Sequence, residues 1–384
     1  MRHLLLTNDF PPKVGGIQSY LWELWRRLPP DETFVSTTPY RGDALFDAAQ
    51  PFWIERSREP VLLPNPVLLR RVNRLVERLD IDLVLIDPAF PLGLLAGGLE
   101  RPYGVVLHGA EVTIPGRLPG SRAALARVLR GASLVISAGS YPAAEAERCA
   151  GRKLPIVVVP PGVDPGRFQP LEEGRRLEVR KRYGLDDEDT VVVSISRLVP
   201  RKGMDTLITA AARLRWRQPS LRVLIGGRGR DEARLRRRII ETGAPVELVG
   251  FVAQNELPDL YGCADAFAMM CRSRWLGLEQ EGFGIVFTEA AASGVPAVCG
   301  RSGGAHEAVQ HGVSGLVVDD PTDVEATVAA LDELLADPDR RRAMGRAARR
   351  RAVEQFDYDR LAARLHGAIA DTVAGTGPDG AVRP

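Results

Sequence analysis

The stretch Glu279–Gly300, EQEGFGIVFTEAAASGVPAVCG, decides how this 384-residue chain is read. Two carboxylates, Glu281 and Glu289, lie eight positions apart across the glycine-bracketed turn Gly282-Phe283-Gly284. A helix is predicted to follow that turn, ended by Gly294-Val295-Pro296 before the apolar run Ala297-Val298-Cys299. Glycines let backbone amides approach a ligand closely. The first turn of the helix behind them offers unpaired N–H groups and a positive dipole end, which suit an anion. Glu289 falls one turn inside that helix, among Val286, Phe287 and three alanines. An unpaired carboxylate is costly to bury there, so Glu289 calls for a hydrogen-bonding partner. A ligand carrying hydroxyls on both sides of a phosphate, hexose on one and ribose on the other, answers both acids. The competing reading is a loop acid and a core acid satisfied within the protein.

The length suits two domains of ordinary size, and 45% hydrophobic with 26% charged residues is soluble globular usage. A net charge of +2 is too near neutral for a general nucleic-acid binder. Lysine occurs only at Lys13, Lys153, Lys181 and Lys202 among many arginines. Cys149, Cys263, Cys271 and Cys299 are widely spaced, which argues against zinc and disulfide frameworks and suits a reducing cytoplasm. The chain runs from Met1-Arg2 directly into HLLLT with no secretory leader, and no apolar run nears the roughly 20 residues a bilayer span needs. Any membrane contact is expected to be peripheral.

Taken in order, the opening predicts a strand ending at Thr7, the loop holding Gly15-Gly16, and a helix near Ile17, the first unit of a doubly wound α/β domain. The glycine pair either brings backbone to a ligand or serves a loop of unusual dihedrals. Further strands are expected at Phe34–Thr37, Leu83–Ile86, Gly104–Leu107, Leu134–Ser137 and Ile156–Val159, alternating with helices as in a parallel sheet covered on both faces. The helix Pro66–Leu79 opposes an apolar stripe to Arg70, Arg71, Arg74 and Arg78: a solvated face, or a patch for anionic lipid headgroups. Trp22 and Trp25 belong to the core or to an interface. His108, at a strand's carboxyl end before Gly109, is either structural or a ligand contact.

Val157–Pro170 reads as a linker. A second α/β series follows, with a strand at Thr190–Ile195, Arg197 just past it, and Lys202-Gly203 opening a helix over Met204–Arg217. Two cations at a strand tip and a helix start suit a diphosphate, or are solvated loop charges. Leu221–Ile225 ends in Gly226-Gly227-Arg228-Gly229, short of a dinucleotide fingerprint. Strands Val246–Val249, Ala266–Met270 and Leu316–Val318 are predicted, with helices from Asn255 and over Val324–Leu335, Pro338–Phe356 and Asp357–Val373, and a frayed tail over Gly375–Pro384.

With Gly15-Gly16, His108, PPGVDPGRFQP, Arg197/Lys202 and Glu281/Glu289 in this order, the chain resembles the retaining GT-B glycosyltransferases of family four, whose E-x7-E motif matches Glu281 to Glu289. Within that family, DFPPKVGGIQSYLWEL (Asp9–Leu24) and Arg272–Val298 are most similar to actinobacterial phosphatidylinositol mannosyltransferases, in particular those adding a second mannose to phosphatidylinositol monomannoside. The segment after His108 departs from that subgroup. The resemblance implies two Rossmann-like doubly wound parallel-sheet domains facing a cleft: residues 1–165 for the acceptor, 172–355 for the nucleotide-sugar donor, and a helix 357–373 crossing back to the first domain. It implies GDP-mannose as donor, a phosphatidylinositol mannoside acceptor at the inner face of the plasma membrane, no metal and no cofactor, and a monomer or weak dimer. Arg197 and Lys202 then grip the donor diphosphate and Glu289 holds the ribose. Glu281 binds the hexose with the backbone of Gly282, Phe283, Gly284 and Ile285. His108 contacts the sugar near the reacting carbon, Gly15-Gly16 lie beside the phosphates, and Phe251-Val252 lie near the base. The alternatives are a soluble family-four transferase using a UDP-sugar, a nucleotide-sugar epimerase, and a non-catalytic sugar-nucleotide sensor.

Overall fold

The computed structural model describes residues 1–375, and the tail expected beyond Gly375 lies outside them. Two compact units are formed, Met1–Pro161 with the segment from Tyr358, and Gly162–Asp357.

The first unit holds β1 (His3–Thr7), β2 (Thr33–Thr37), β3 (Trp53–Arg56), β4 (Leu83–Asp87), β5 (Tyr103–Leu107), β6 (Leu134–Ser137) and β7 (Ile156–Val158). They pair in parallel in the order β3-β2-β1-β4-β5-β6-β7. Leu4, Leu5 and Leu6 are wholly buried because β1 is covered on both faces. Leu5 packs with Tyr20, Leu21, Leu24 and Trp25 of the helix Gly16–Trp25 and with Leu361, Leu365 and Ile369 of the helix Tyr358–Val373. Leu4 and Leu6 face the other way, onto Leu68, Val72, Leu75 and Val76 of the helix Pro66–Arg78. This is the alternation a strand imposes on successive side chains.

Trp25 is a core residue, and half-buried Trp22 donates its indole N–H to Gln50 Oε1 at 2.8 Å, so the interface reading of this pair falls away. In the helix Pro66–Arg78, Asn65 caps Val67 and Leu68, Arg71 and Arg78 pair with Glu55, and Arg70 and Arg74 stay exposed.

The second unit holds β8 (Thr190–Ile195), β9 (Leu221–Gly226), β10 (Val246–Gly250), β11 (Ala266–Met269), β12 (Ala297–Gly300) and β13 (Gly315–Val318), parallel in the order β10-β9-β8-β11-β12-β13. Strand order reverses between β1 and β4 in the first sheet and between β8 and β11 in the second. Doubly wound sheets bind ligands at the carboxyl ends of the strands flanking such a reversal.

Several elements depart from expectation. The segment Val157–Pro170 is not free linker throughout: β7 runs to Val158, Val163 bridges to Asp357, and Phe168 is buried. The helix Glu173–Arg182, rich in charge, was not expected from the sequence. It is fixed by buried Arg180, which donates to the carbonyls of Cys263 and Asp189 and pairs with Asp265 at 2.7 Å. Such long-range satisfaction of a buried guanidinium leaves no local signal. The edge strand β3 and the helix Asp43–Ala48 also went unforeseen, being short and only partly buried. The helix expected from Asn255 begins at Leu257, and that expected to reach Arg217 stops at Leu214.

Candidate active site

At the carboxyl ends of β8 and β11, two cationic side chains converge on one acid. Lys202 Nζ lies 2.8 Å from Glu281 Oε2, and Arg201 Nη1 contacts the same oxygen. The arrangement is built by backbone geometry. Gly203 has φ +66, and a Cβ there would meet Met270 O at 1.9 Å, so only glycine lets the loop after β8 close on the end of β11. Arg272 N then donates to Arg201 O at 2.9 Å, tying the two loops together. Beneath Glu281, Gly304 N donates to Glu281 O at 3.0 Å, and a Cβ on Gly304 would meet Gly282 O at 2.1 Å. Burial raises the Glu281 carboxyl, but Lys202 and Arg201 together hold it below its ordinary value. The acid is therefore ionised at neutral pH and its charge is compensated. Glu281 thus has two cationic partners, so either one alone would leave the acid paired.

Gly284, with φ +88, precedes the helix Ile285–Ala292, and buried Phe283 packs edge-on against Phe356 at 5.5 Å between ring centroids. Glu289 sits inside that helix and receives the Tyr261 hydroxyl proton bond at 2.8 Å. Burial pushes the Glu289 carboxyl up to about 7, against the lowering effect of Tyr261 and Arg167. A strongly shifted buried acid of this kind marks a candidate functional position. Arg197, at the end of β8, is exposed, and Phe251 is exposed beside half-buried Val252. The structure thus brings together Lys202, Glu281 and the unforeseen Arg201, and leaves Arg197 outside that cluster.

In the first unit, a second cluster lies at the ends of β1, β4 and β5. His108 Nε2 is 2.7 Å from Asp87 Oδ1, and Thr7 Oγ1 donates to Asp87 Oδ2 at 2.6 Å. Glu111 accepts from the backbone N–H groups of His108 and Gly109, and Tyr20 presents its edge to the imidazole at 5.5 Å. Burial alone would lower the His108 value, but Asp87, with Glu111 and Asp9, raises it above the ordinary imidazole range. Asp87→Asn removes the main source of that rise. The imidazolium is then lost at lower pH in an NMR titration of the ring protons. An unmoved titration would show that Asp87 does not set the charge of His108. Gly15 is extended at φ 170, so no unusual dihedral explains the glycine pair. A Cβ on Gly16, the first residue of its helix, would meet nothing within 4 Å. The backbone there is open to a ligand at a helix N-terminus.

The family described as Glycosyltransferase Family 4 matches residues 14–167, and that described as Glycosyl transferases group 1 matches residues 175–351. The GDP-mannose-dependent alpha-(1-6)-phosphatidylinositol monomannoside mannosyltransferase of Mycobacterium tuberculosis is 42% identical to this chain, covering 95% of it and 97% of the relative. The chain belongs to the family 4 glycosyltransferases. A Corynebacterium glutamicum relative, the GDP-mannose-dependent monoacylated alpha-(1-6)-phosphatidylinositol monomannoside mannosyltransferase, is 35% identical over 94% of this chain and 96% of its own. The crystal structure of Anabaena HepE in complex with UDP matches with a TM-score of 0.81 at 21% identity, covering 97% of this chain and all of that one. At that identity the likeness speaks for the fold of this glycosyltransferase, which is GT-B.

Reading the sequence missed Arg201, Tyr261, Asp87 and the Gly304 support of this glycosyltransferase. The adjacency Arg201-Lys202 was a usable signal for the first, and Asp87, the polar end of the apolar strand LVLID, for the third. Tyr261 carried none, since only the packing of its helix brings it to Glu289.

Proposed function

We propose that this glycosyltransferase moves mannose from GDP-mannose onto a phosphatidylinositol mannoside, with retention at the anomeric carbon. The observation that carries this reading is the 42% identity over 95% of the chain to a relative named for that donor and acceptor. The local geometry supports the transfer chemistry. Lys202, with Arg197 exposed at the end of β8, meets the diphosphate and stabilises the charge that builds as it departs. Glu281, held ionised by Arg201, accepts hydrogen bonds from the hexose hydroxyls alongside the backbone amides of Phe283, Gly284 and Ile285. Glu289 takes the ribose hydroxyls, and Phe251-Val252 flank the base. His108 contacts the sugar near C1, and Gly15-Gly16 offer backbone to the phosphates.

Glu281 is a poor candidate nucleophile because two cations already neutralise its charge. The reaction then proceeds on one face of the sugar. The acceptor oxygen forms its bond to C1 as the C1–O bond to the diphosphate breaks, and the acceptor proton passes to the departing phosphate oxygen. Positioning and the fixed cations carry the rate. Among the described residues no helix is long and apolar enough to cross a membrane, so the reading places the chain on a lipid surface rather than through it.

The deciding experiment incubates the enzyme with GDP-mannose and vesicles holding phosphatidylinositol monomannoside, and follows the lipid by mass. The lipid is expected to gain one hexose per GDP released. Consumption of a UDP-sugar instead, or of GDP-mannose with no change in the lipid, would overturn the donor or the acceptor respectively.

A further inference from the structure

A short hairpin leads directly into the Glu281 site. Arg274 N donates to Glu279 O at 2.9 Å, Glu279 N returns the bond to Arg274 O at 3.2 Å, and the two side chains pair at 3.0 Å. Gln280 Nε2 braces the tip through Gly277 O at 2.8 Å. The tip is Trp275-Leu276-Gly277, and all three residues have positive φ, at 50, 53 and 82. Glycine holds such a conformation readily, whereas a tryptophan or a leucine rarely does. Their side chains also gain nothing from the core: Trp275 is 61% exposed and Leu276 is 100% exposed. The chain thus holds two large apolar groups outward on a braced scaffold, in a conformation that disfavours them. Outliers of this kind persist where a function selects them.

We propose that the Arg274–Glu279 hairpin is a membrane-docking wedge, with Trp275 and Leu276 entering the interfacial layer of a phospholipid bilayer and Arg274 lying at headgroup level. This rests on the reading of the acceptor as a lipid. Tryptophan is favoured at that depth, since its ring is apolar and its N–H stays hydrated. The Arg274 guanidinium stands 4.8 Å from the Trp275 ring centroid, where it shields one face of the ring and stays within reach of phosphates. A protein partner fits less well, because the two side chains offer roughly 300 Å², well below the about 800 Å² per side of a stable interface. Chain continuity supplies the consequence: Gln280 and Glu281 follow the hairpin directly, so anchoring the tip holds the proposed sugar subsite at the surface where the acceptor headgroup lies.

The test uses the full chain and the double variant W275G/L276G. Glycine suits the observed backbone, so the variant is expected to fold with an unchanged or higher Tm. The probe is vesicles of phosphatidylcholine and phosphatidylinositol, read by co-sedimentation. The parent is expected to sediment with them and the variant to bind about tenfold more weakly. Turnover of vesicle-borne phosphatidylinositol monomannoside at limiting lipid should fall in proportion. Turnover of the deacylated, water-soluble acceptor should be unchanged. Equal vesicle binding by parent and variant overturns the proposal, as does a parent that sediments as a dimer while the variant is a monomer, since a second copy would then own the surface. Should the parent transfer mannose to neither acceptor, the acceptor reading fails on its own. Co-sedimentation still decides the hairpin in that case: a tenfold loss upholds it and equal binding overturns it.

Discussion

Lys202→Ala is expected to lower mannose transfer by about two to four orders of magnitude while leaving the protein folded. The two halves of that expectation come from one cluster. Lys202 supplies the fixed ammonium for a departing diphosphate, and an ammonium placed beforehand needs no reorganisation when charge develops. Removing one partner from a buried ion pair usually costs about 3–5 kcal/mol, because the other charge is left uncompensated. Here Glu281 keeps Arg201, so the loss of stability should be well below that range. The converse substitution, Glu281→Ala, strands two cations at once and confuses catalysis with folding, which makes Lys202 the cleaner target. The measurement is kcat with GDP-mannose beside a thermal melt. Turnover within tenfold of the parent would remove Lys202 from the proposed chemistry, and retention of Lys202→Arg activity near the parent would show that a point charge is not required there.

Glu289→Gln carries the second large expectation, and it runs in opposite directions for stability and for binding. The Glu289 carboxyl is raised from its ordinary 4.5 to about 7, chiefly by burial. A folded-state value above the unfolded one means that the native protein retains a proton the unfolded chain releases. Stability is therefore lost as pH rises through this window, and above it the ionised acid is a standing cost. Glutamine removes that cost and still accepts the Tyr261 hydroxyl bond. The variant should be more stable than the parent at pH 8 by on the order of 1–3 kcal/mol, and the difference should vanish toward the low end of the window. The carboxylate that would take the ribose hydroxyls is lost, so affinity for GDP should fall about tenfold to a hundredfold, because hydrogen bonds to a charged group are the stronger kind. Thermal melts at the two pH values, with and without GDP, check both halves. A variant that binds GDP as tightly as the parent would dissociate Glu289 from the nucleotide.

The two predictions together describe a site that sacrifices stability for ligand binding. Glu289 is buried with the Tyr261 hydroxyl as its partner, and Lys202 is occupied by an internal anion, Glu281. Both are arrangements that the proposed donor would relieve.

The sequence by itself determined the α/β class, most of the buried strands and the two acids, because these depend on short-range pattern. An apolar run such as Leu4-Leu5-Leu6 has to be covered on both faces wherever it goes, and a glycine-bracketed turn marks the start of the helix behind it. It also singled out Lys202 and Glu281, which the structure pairs at 2.8 Å. What it left open was which charge meets which. Residues about eighty positions apart come together because β11 pairs with β8, not with β10, and that order is fixed by the crossovers of the whole sheet. Only the tertiary structure could therefore give Glu281 to Arg201 and Lys202, Glu289 to Tyr261, and His108 to Asp87. The same holds for the helix Glu173–Arg182, whose charges find their partners on distant loops, and for Trp275 and Leu276, whose exposure follows from a backbone turned left-handed between two paired ends. Burial pattern is written along the chain, but electrostatic partnership is a property of packing, and it was settled only when the sheets were assembled.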